Sequence, residues 1–303
     1  MTLLAIGSVA YDDLETPSGK RENVLGGSVC YFSLSASRFH PVRVVAVTGE
    51  DFGAEQRQVF HGRPIDLTGL EQRPGKCFHW KGIYGENLNE AQTLETHLNV
   101  FEDFHPDLPE GYRQSPYLFL GNIDPRLQLD VLRQMSERPQ WVALDTMNYW
   151  IQGASTALTQ VLAEVDILLI NETEARALSG ERNLLKAYRK IRTLGPRILV
   201  VKRGEYGAMV LTEEGAIAVP ALLLEEVVDP TGAGDTFAGG FLGTLAASGK
   251  LDLEAFRRAV ITGSVMASLT VQDFGLRGLE VATEQDIKGR TQAFSDMIRT
   301  GGL

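Results

Sequence analysis

Residues 229–241 read Asp-Pro-Thr-Gly-Ala-Gly-Asp-Thr-Phe-Ala-Gly-Gly-Phe, a run that combines free backbone amides with an acid at the point where a loop should become a helix. Gly232 and Gly234 permit positive φ and close approach of a ligand to the backbone. With Ala233 between them, successive N–H groups can converge on an anion as a nest. Asp235–Leu245 reads as the following helix, whose N-terminal dipole and unpaired amides favour negative charge. A carboxylate in an anion site repels phosphate unless it faces the other reactant. Asp235 is therefore read as the acceptor of a proton from an attacking hydroxyl, the part an aspartate plays in phosphoryl transfer. The competing reading is a glycine-rich turn with Asp235 as N-cap and a small-residue helix packed closely on its neighbour.

Further candidates stand where apolar runs end. Gly7-Ser-Val-Ala-Tyr-Asp12 places an acid just past the first such run; its carboxylate can accept hydrogen bonds from adjacent substrate hydroxyls or close an Asx turn. Asp13 reads as solvent-facing. Gly26 and Gly27 open a helical pattern, either admitting a ligand against the backbone or making a tight turn. Asn171-Glu-Thr-Glu174 has capping-box spacing. Val200-Val-Lys-Arg-Gly-Glu-Tyr-Gly207 ends in a Gly204-x-x-Gly207 turn, with Lys202 placed to neutralise phosphates or to sit solvated at a strand end. Asp145 and Asn148 follow another apolar run; they suit contact with phosphates or the acceptor, and equally a turn and cap.

These residues need elements to position them. Leu3–Ile6, Val42–Val47, Tyr117–Leu120, Trp141–Leu144, Ile167–Ile170 and Ile198–Lys202 are mostly continuous apolar runs, as strands buried on both faces should be. Helical patterns alternate with them at Val29–Arg38, Ala54–His61, Leu127–Ser136, Ser155–Ala163, Glu172–Ser179 and Leu184–Leu194. The alternation predicts an α/β fold with a mainly parallel sheet and helices on both faces, and ligands then bind beyond the carboxyl ends of the strands. Residues 11–24 and 74–104 break the rhythm, being polar, turn-rich and locally alternating. In Cys77–Tyr84, Phe78, Trp80 and Tyr84 fall on one strand face and His79, Lys81 and Ile83 on the other. We read these segments as a small β lid inserted in one domain spanning 1–303; the alternative is an exposed hairpin with one core-facing side.

Composition narrows the class. An apolar fraction of 44% and a charged fraction of 22% in 303 residues are ordinary for a globular enzyme. A net charge of −10 argues against nucleic acid as a partner. Cys30 and Cys77 cannot build a disulfide framework, and no Cys/His cluster has metal-site spacing, so a reducing cytoplasm is expected. Residues 1–10 lack a basic start and run into Asp12 and Asp13, reading as a first strand and not a signal peptide. No apolar stretch reaches the roughly 20 residues of a membrane span.

The run 229–241 resembles the C-terminal signature of the ribokinase-like (PfkB) carbohydrate kinase family, whose members phosphorylate a hydroxyl of a sugar, nucleoside or related small molecule with ATP. Leu25-Gly-Gly-Ser-Val-Cys-Tyr31 resembles its N-terminal Gly-Gly signature, and further family elements follow in order to about residue 280. The resemblance implies a three-layer α/β/α core with a β lid over the acceptor. It implies Asp235 as catalytic base, with Gly232, Ala233 and Gly234 as anion hole. Asp12, Gly26, Gly27 and Tyr31 would meet the acceptor. Asn171, Glu174, Lys202, Gly204 and Gly207 would meet ATP, Glu174 acting through water on Mg²⁺, and residues 261–271 would flank the adenine. Asp229 and Thr231 match positions that help bind K⁺ in some relatives, and in several relatives the lid also forms a homodimer contact. Two departures matter: a Thr is frequent where this chain has Lys202, and many sugar kinases of the family carry Asn where it has Tyr31, which trades an amide for a flat amphipathic ring. The acceptor is therefore open among sugars, nucleosides and polyols such as inositols. A non-catalytic ligand sensor of the same fold is the alternative outside enzymes; the intact Asp235 and its glycines argue against it.

Overall fold

Side chains alternate between two helical layers along each buried strand, which is why the runs are apolar throughout. The computed structural model describes residues 1–299. The chain runs β1 (Leu3–Ile6), β2 (Ala10–Thr16), β3 (Gly19–Gly26), α1 (Ser28–Ala36), β4 (Val42–Thr48), α2 (Ala54–Gln58), β5 (Ile65–Gln72), β6 (Phe78–Tyr84) and β7 (Ala91–His97). It continues with β8 (Tyr117–Leu120), α3 (Pro125–Gln134), β9 (Trp141–Asp145), α4 (Asn148–Gly153), α5 (Ser155–Leu162), β10 (Ile167–Asn171), α6 (Glu172–Ser179), α7 (Leu184–Arg192) and β11 (Ile198–Lys202). It ends with β12 (Ala208–Leu211), β13 (Ala216–Val219), α8 (Ala233–Ser248), α9 (Leu253–Thr270), α10 (Arg277–Val281) and α11 (Glu284–Ile298).

The main sheet has nine strands in the order β13-β12-β11-β10-β9-β8-β1-β4-β5, parallel except at β11–β12 and β12–β13. Leu3 and Ala5 of β1 join one core with α1, α8 and α9, while Leu4 and Ile6 join the other. Tyr117 and Phe119 of β8 divide from Leu118 and Leu120 in the same way. This is the expected three-layer arrangement. Sheet order reverses between β1 and β8, the kind of switch point beyond whose carboxyl ends ligands bind in such sheets. Strands β5, β12 and β13 were not expected: β5 is an edge strand with exposed Asp66, Thr68 and Glu71, and β12 and β13 are too short to show a period. The helix expected from Asp235 begins at Ala233.

Strands β2, β3, β6 and β7 form a second sheet in the order β3-β2-β6-β7, with β2 and β6 parallel and the outer pairs antiparallel. They overlap the segments 11–24 and 74–104. Beyond β7, Val100 and Phe104 return to the main core.

Helix α8 lies between α1 and α9 along a seam of glycines. A methyl on Gly239 would overlap the carbonyl of Phe32, one on Gly240 would press on Gly263 of α9, and one on Gly243 would press on Ala36. Such spacing brings backbones together and leaves no slack. The small residues of 261–271 serve the same packing: Gly263 faces Phe237 of α8, and Ser264 and Ser268 bond to carbonyls of their own helix. Among the described residues no helix is long and apolar enough to cross a membrane, and both cysteines are buried and free.

Candidate active site

Gly232, at φ 72° and ψ 0°, is the left-handed N-cap of α8. Asp235 is therefore the third residue of the first turn, not the N-cap. The N–H of Ala233 turns back to the carbonyl of Pro230 (3.2 Å) and that of Thr236 to Gly232 (2.8 Å), while Gly234 and Asp235 contribute first-turn amides without helical partners. The strap entering this turn is fixed from below. The N–H of Val228 donates to the carbonyl of Val271 (2.7 Å), and the fully buried Asp229 accepts from the amides of Thr231 (2.9 Å) and Gly275 (3.0 Å). Asp229 and Thr231, expected beside K⁺, thus engage each other and the surrounding backbone.

On the acceptor side, Asp12 projects from the inner face of β2 over Gly26, whose missing side chain leaves room for the carboxylate. Burial, together with Asp229, Asp235 and Asp13, pushes its carboxyl up to about 8. Gly27, at φ 92°, lets α1 start against Ser8 and Ala10, and Ser8 and Ser28 exchange hydrogen bonds from amide to hydroxyl in both directions (3.0 and 3.1 Å). The ring of Tyr31 lies flat on Gly232, where any side chain would overlap it. It is 1% exposed, and its hydroxyl has no hydrogen-bond partner among the described residues.

At the ends of β9, β10 and β11 a charge cluster faces α8. The Lys202 ammonium donates to Asp145 Oδ2 at 2.7 Å and lies against Gly234. Burial opposes its charge, but Asp145, Glu174 and Asp235 hold it protonated, above the ordinary lysine range. Asp235 is pushed up to about 7 by burial and by Asp145, against the pull of Lys202. Asn171 and Glu174 form a reciprocal cap, each accepting from the other's amide at 2.8 Å, and burial raises Glu174 to about 7. At the same strand end the buried hydroxyl of Thr146 and Oδ1 of Asn148 have no partner among the described residues. Gly204, at φ 55°, lies under the side chain of Asn89 from the β6–β7 loop, and Gly207, at φ 87°, packs on the backbone of Val219 and Pro220.

A consequence of this cluster concerns Lys202→Met. A base must be deprotonated to act, so with Asp235 in that role kcat/KM would fall as pH drops through its pKa in the free enzyme. Removing the ammonium favours the protonated carboxyl, and the acid limb of the pH–rate profile should move to higher pH. A limb that stays in place or moves to lower pH would show that Lys202 does not set it.

Two residues of this region carry no local sequence signal. Tyr84 of β6 accepts a hydrogen bond from the Thr231 hydroxyl at 3.1 Å across 147 positions of chain, and Asn89 reaches Gly204 from the lid tip. The alternation in β6 marked the face of Tyr84 without marking its partner.

The family model described as pfkB family carbohydrate kinase matches residues 20–281. A cytidine kinase from Thermococcus kodakarensis is 32% identical over 247 residues, covering 80% of this chain and 87% of its own. A 2-dehydro-3-deoxygluconokinase from Thermoproteus tenax is 40% identical over 282 residues, covering 80% of each. Among solved structures, a putative ribokinase II from E. coli in complex with ATP and Mg²⁺ superposes with a TM-score of 0.80 at 17% identity, over 96% of this chain and 99% of that one. A match of this extent, on a fold whose strand ends and α8 turn gather the residues described above, identifies the chain as a member of the pfkB family of carbohydrate kinases and an ATP-dependent kinase.

Proposed function

We propose that this kinase transfers the γ-phosphoryl group of ATP to a hydroxyl of a small sugar or sugar-like acceptor, with Asp235 as base and the turn 232–234 as anion hole. The observation that carries the reading is the partly buried Asp235 carboxyl standing in the same first turn of α8 as the Gly234 amide, which has no helical partner. Asp12 orients the acceptor beneath the lid; the room left by Gly26 goes to that carboxylate and the room left by Gly27 to the Ser8 and Ala10 backbone, so the two glycines seat Asp12 and α1 and do not admit the acceptor themselves. The amides of Gly234 and Asp235, with Lys202 beside them, stabilise charge on the moving phosphoryl group. Asp235 takes the hydroxyl proton late, as the new bond forms, because a carboxylate cannot deprotonate a free alcohol beforehand.

The residues present fit Mg²⁺, which keeps several waters and needs few protein ligands. Glu174 commits Oε2 to the Asn171 amide and leaves its other oxygen to hold a metal-bound water. When bound, the ion neutralises phosphate charge. K⁺ at Asp229 and Thr231 belongs to the same proposal, and equal initial rates in K⁺ and in a non-binding cation would remove it. A second copy pairing along the exposed lid strand β7, in a cytoplasmic enzyme, completes it.

A nucleoside is the second reading, favoured by one observation. Trp80 shares the inner lid face with Asp12, lies flat over Gly82 and is tied by its indole N–H to Thr93 Oγ1 at 3.1 Å, a platform suited to a planar base. The test is ADP formation with a panel of sugars, polyols and nucleosides. Acceptor-dependent turnover is expected; ligand binding with no turnover across the panel would favour a sensor and sink the kinase mechanism.

A further inference from the structure

Both lid hairpins reach the strap of residues 227–231. Thr16 Oγ1 donates to the carbonyl of Val228 at 2.8 Å, Ser18 Oγ to that of Val227 at 3.4 Å, and Thr231 Oγ1 to Tyr84 Oη. Both lid hairpins therefore grip the strap, but only the Tyr84 contact adjoins the turn whose amides form the anion hole. Upstream, Val228 is tied to the core by its amide as well as to the lid by its carbonyl, and Asp229 accepts from the Gly275 amide. Downstream, Gly232 rests on Tyr31 of α1. Thr231 stands between these anchors, and its side chain is held from the lid.

The two tyrosines differ in what fixes them. Tyr31 is locked in the core, whereas Tyr84 belongs to the lid sheet, whose outer strand β7 is exposed along its whole length. Tyr84 Oη uses a lone pair on Thr231, which leaves its own proton to donate into the cleft. Burial and the nearby carboxylates of Asp229 and Asp12 keep that phenol protonated.

We propose that Tyr84 is a positioning residue for phosphoryl transfer: by accepting from Thr231 it sets the Gly232 turn when the lid is seated, as it is in this structure, so the anion hole takes its working shape only with this lid contact made. This rests on the assignment of residues 232–235 to the phosphoryl group. Seating of the lid is thereby transmitted to the phosphate end through a side-chain hydrogen bond.

The test is a double-mutant cycle with Tyr84→Phe and Thr231→Val. With the acceptor found by the panel, each single variant should lower kcat about 5–10-fold, the scale of one hydrogen bond, with KM for MgATP within about twofold of wild type. The double variant should be no worse than the weaker single, because both remove the same interaction. Ser18→Ala, which loosens the strap away from the turn, should keep wild-type kcat. Unchanged kcat in Tyr84→Phe, a loss confined to acceptor KM, or additive losses would each overturn the proposal. A second arm needs no acceptor: calorimetric titration with MgADP alone and with MgADP plus aluminium fluoride. Both variants should bind MgADP as wild type does and lose about 5–10-fold for the fluoride complex; equal affinity for that complex overturns the proposal even if no acceptor in the panel turns over.

Discussion

Asp235→Asn should lower kcat by about 10²-fold or more, the range of general-base catalysis, while the protein still folds and binds MgATP. Asparagine has the shape of the carboxylate and can occupy the same place in the first turn of α8, but it cannot take a proton from the acceptor. The substitution carries a stability signature of opposite sign. The folded-state pKa of Asp235 is raised by burial and by Asp145, so its ionised form is disfavoured in the native protein. For such a group the native state loses stability as pH rises from the unfolded value near 3.8 through about 7. The neutral variant escapes that loss, and its Tm at pH 8 should equal or exceed that of wild type. Turnover near wild type would remove Asp235 as the base; a collapsed Tm would mean that the side chain is chiefly structural.

Gly232→Ala is expected to be nearly as damaging to turnover, for a backbone reason. A φ of 72° costs an L-residue roughly 1–2 kcal/mol, and the added methyl would overlap the ring of Tyr31. That ring is 1% exposed and packed in α1, so the turn must shift and carry the Gly234 and Asp235 amides with it. Misplacing one such donor costs about 10²–10³-fold in kcat. The expected result is a loss on that scale with a lowered Tm. Combining Gly232→Ala with Tyr31→Ala should give a Tm loss smaller than the sum of the singles, because both disturb one contact. Fully additive losses would mean that ring and turn are independent.

The sequence carried much of this because the decisive signals are local. The turn at 232, the acid at 235 and the helix behind them are neighbours, so spacing alone relates the amides to the carboxylate. Strands such as β1 and β8 are legible because both faces are buried. The capping geometry of Asn171 and Glu174 is legible for the same local reason. What escaped is tertiary. Lys202 and Asp145 stand 57 positions apart, so their ion pair could not be read from either strand end. Gly26 was visible as unusual, but its reason, the Asp12 carboxylate lying over it, belongs to the pairing of β2 with β3. Tyr84 needed the placement of an entire second sheet.

The glycine seam of α8 bears on how such an enzyme can diverge. Gly239, Gly240 and Gly243 are hemmed in by backbone and side-chain atoms of α1 and α9, so the helix that carries Asp235 tolerates almost no substitution along those faces. Strand β7 exposes all seven of its residues and, apart from contacts such as Thr93 with Trp80, is far less hemmed in. Substitution is thus borne more readily along the outer edge of the second sheet than along α8, so the two parts of the chain are open to change to very different degrees.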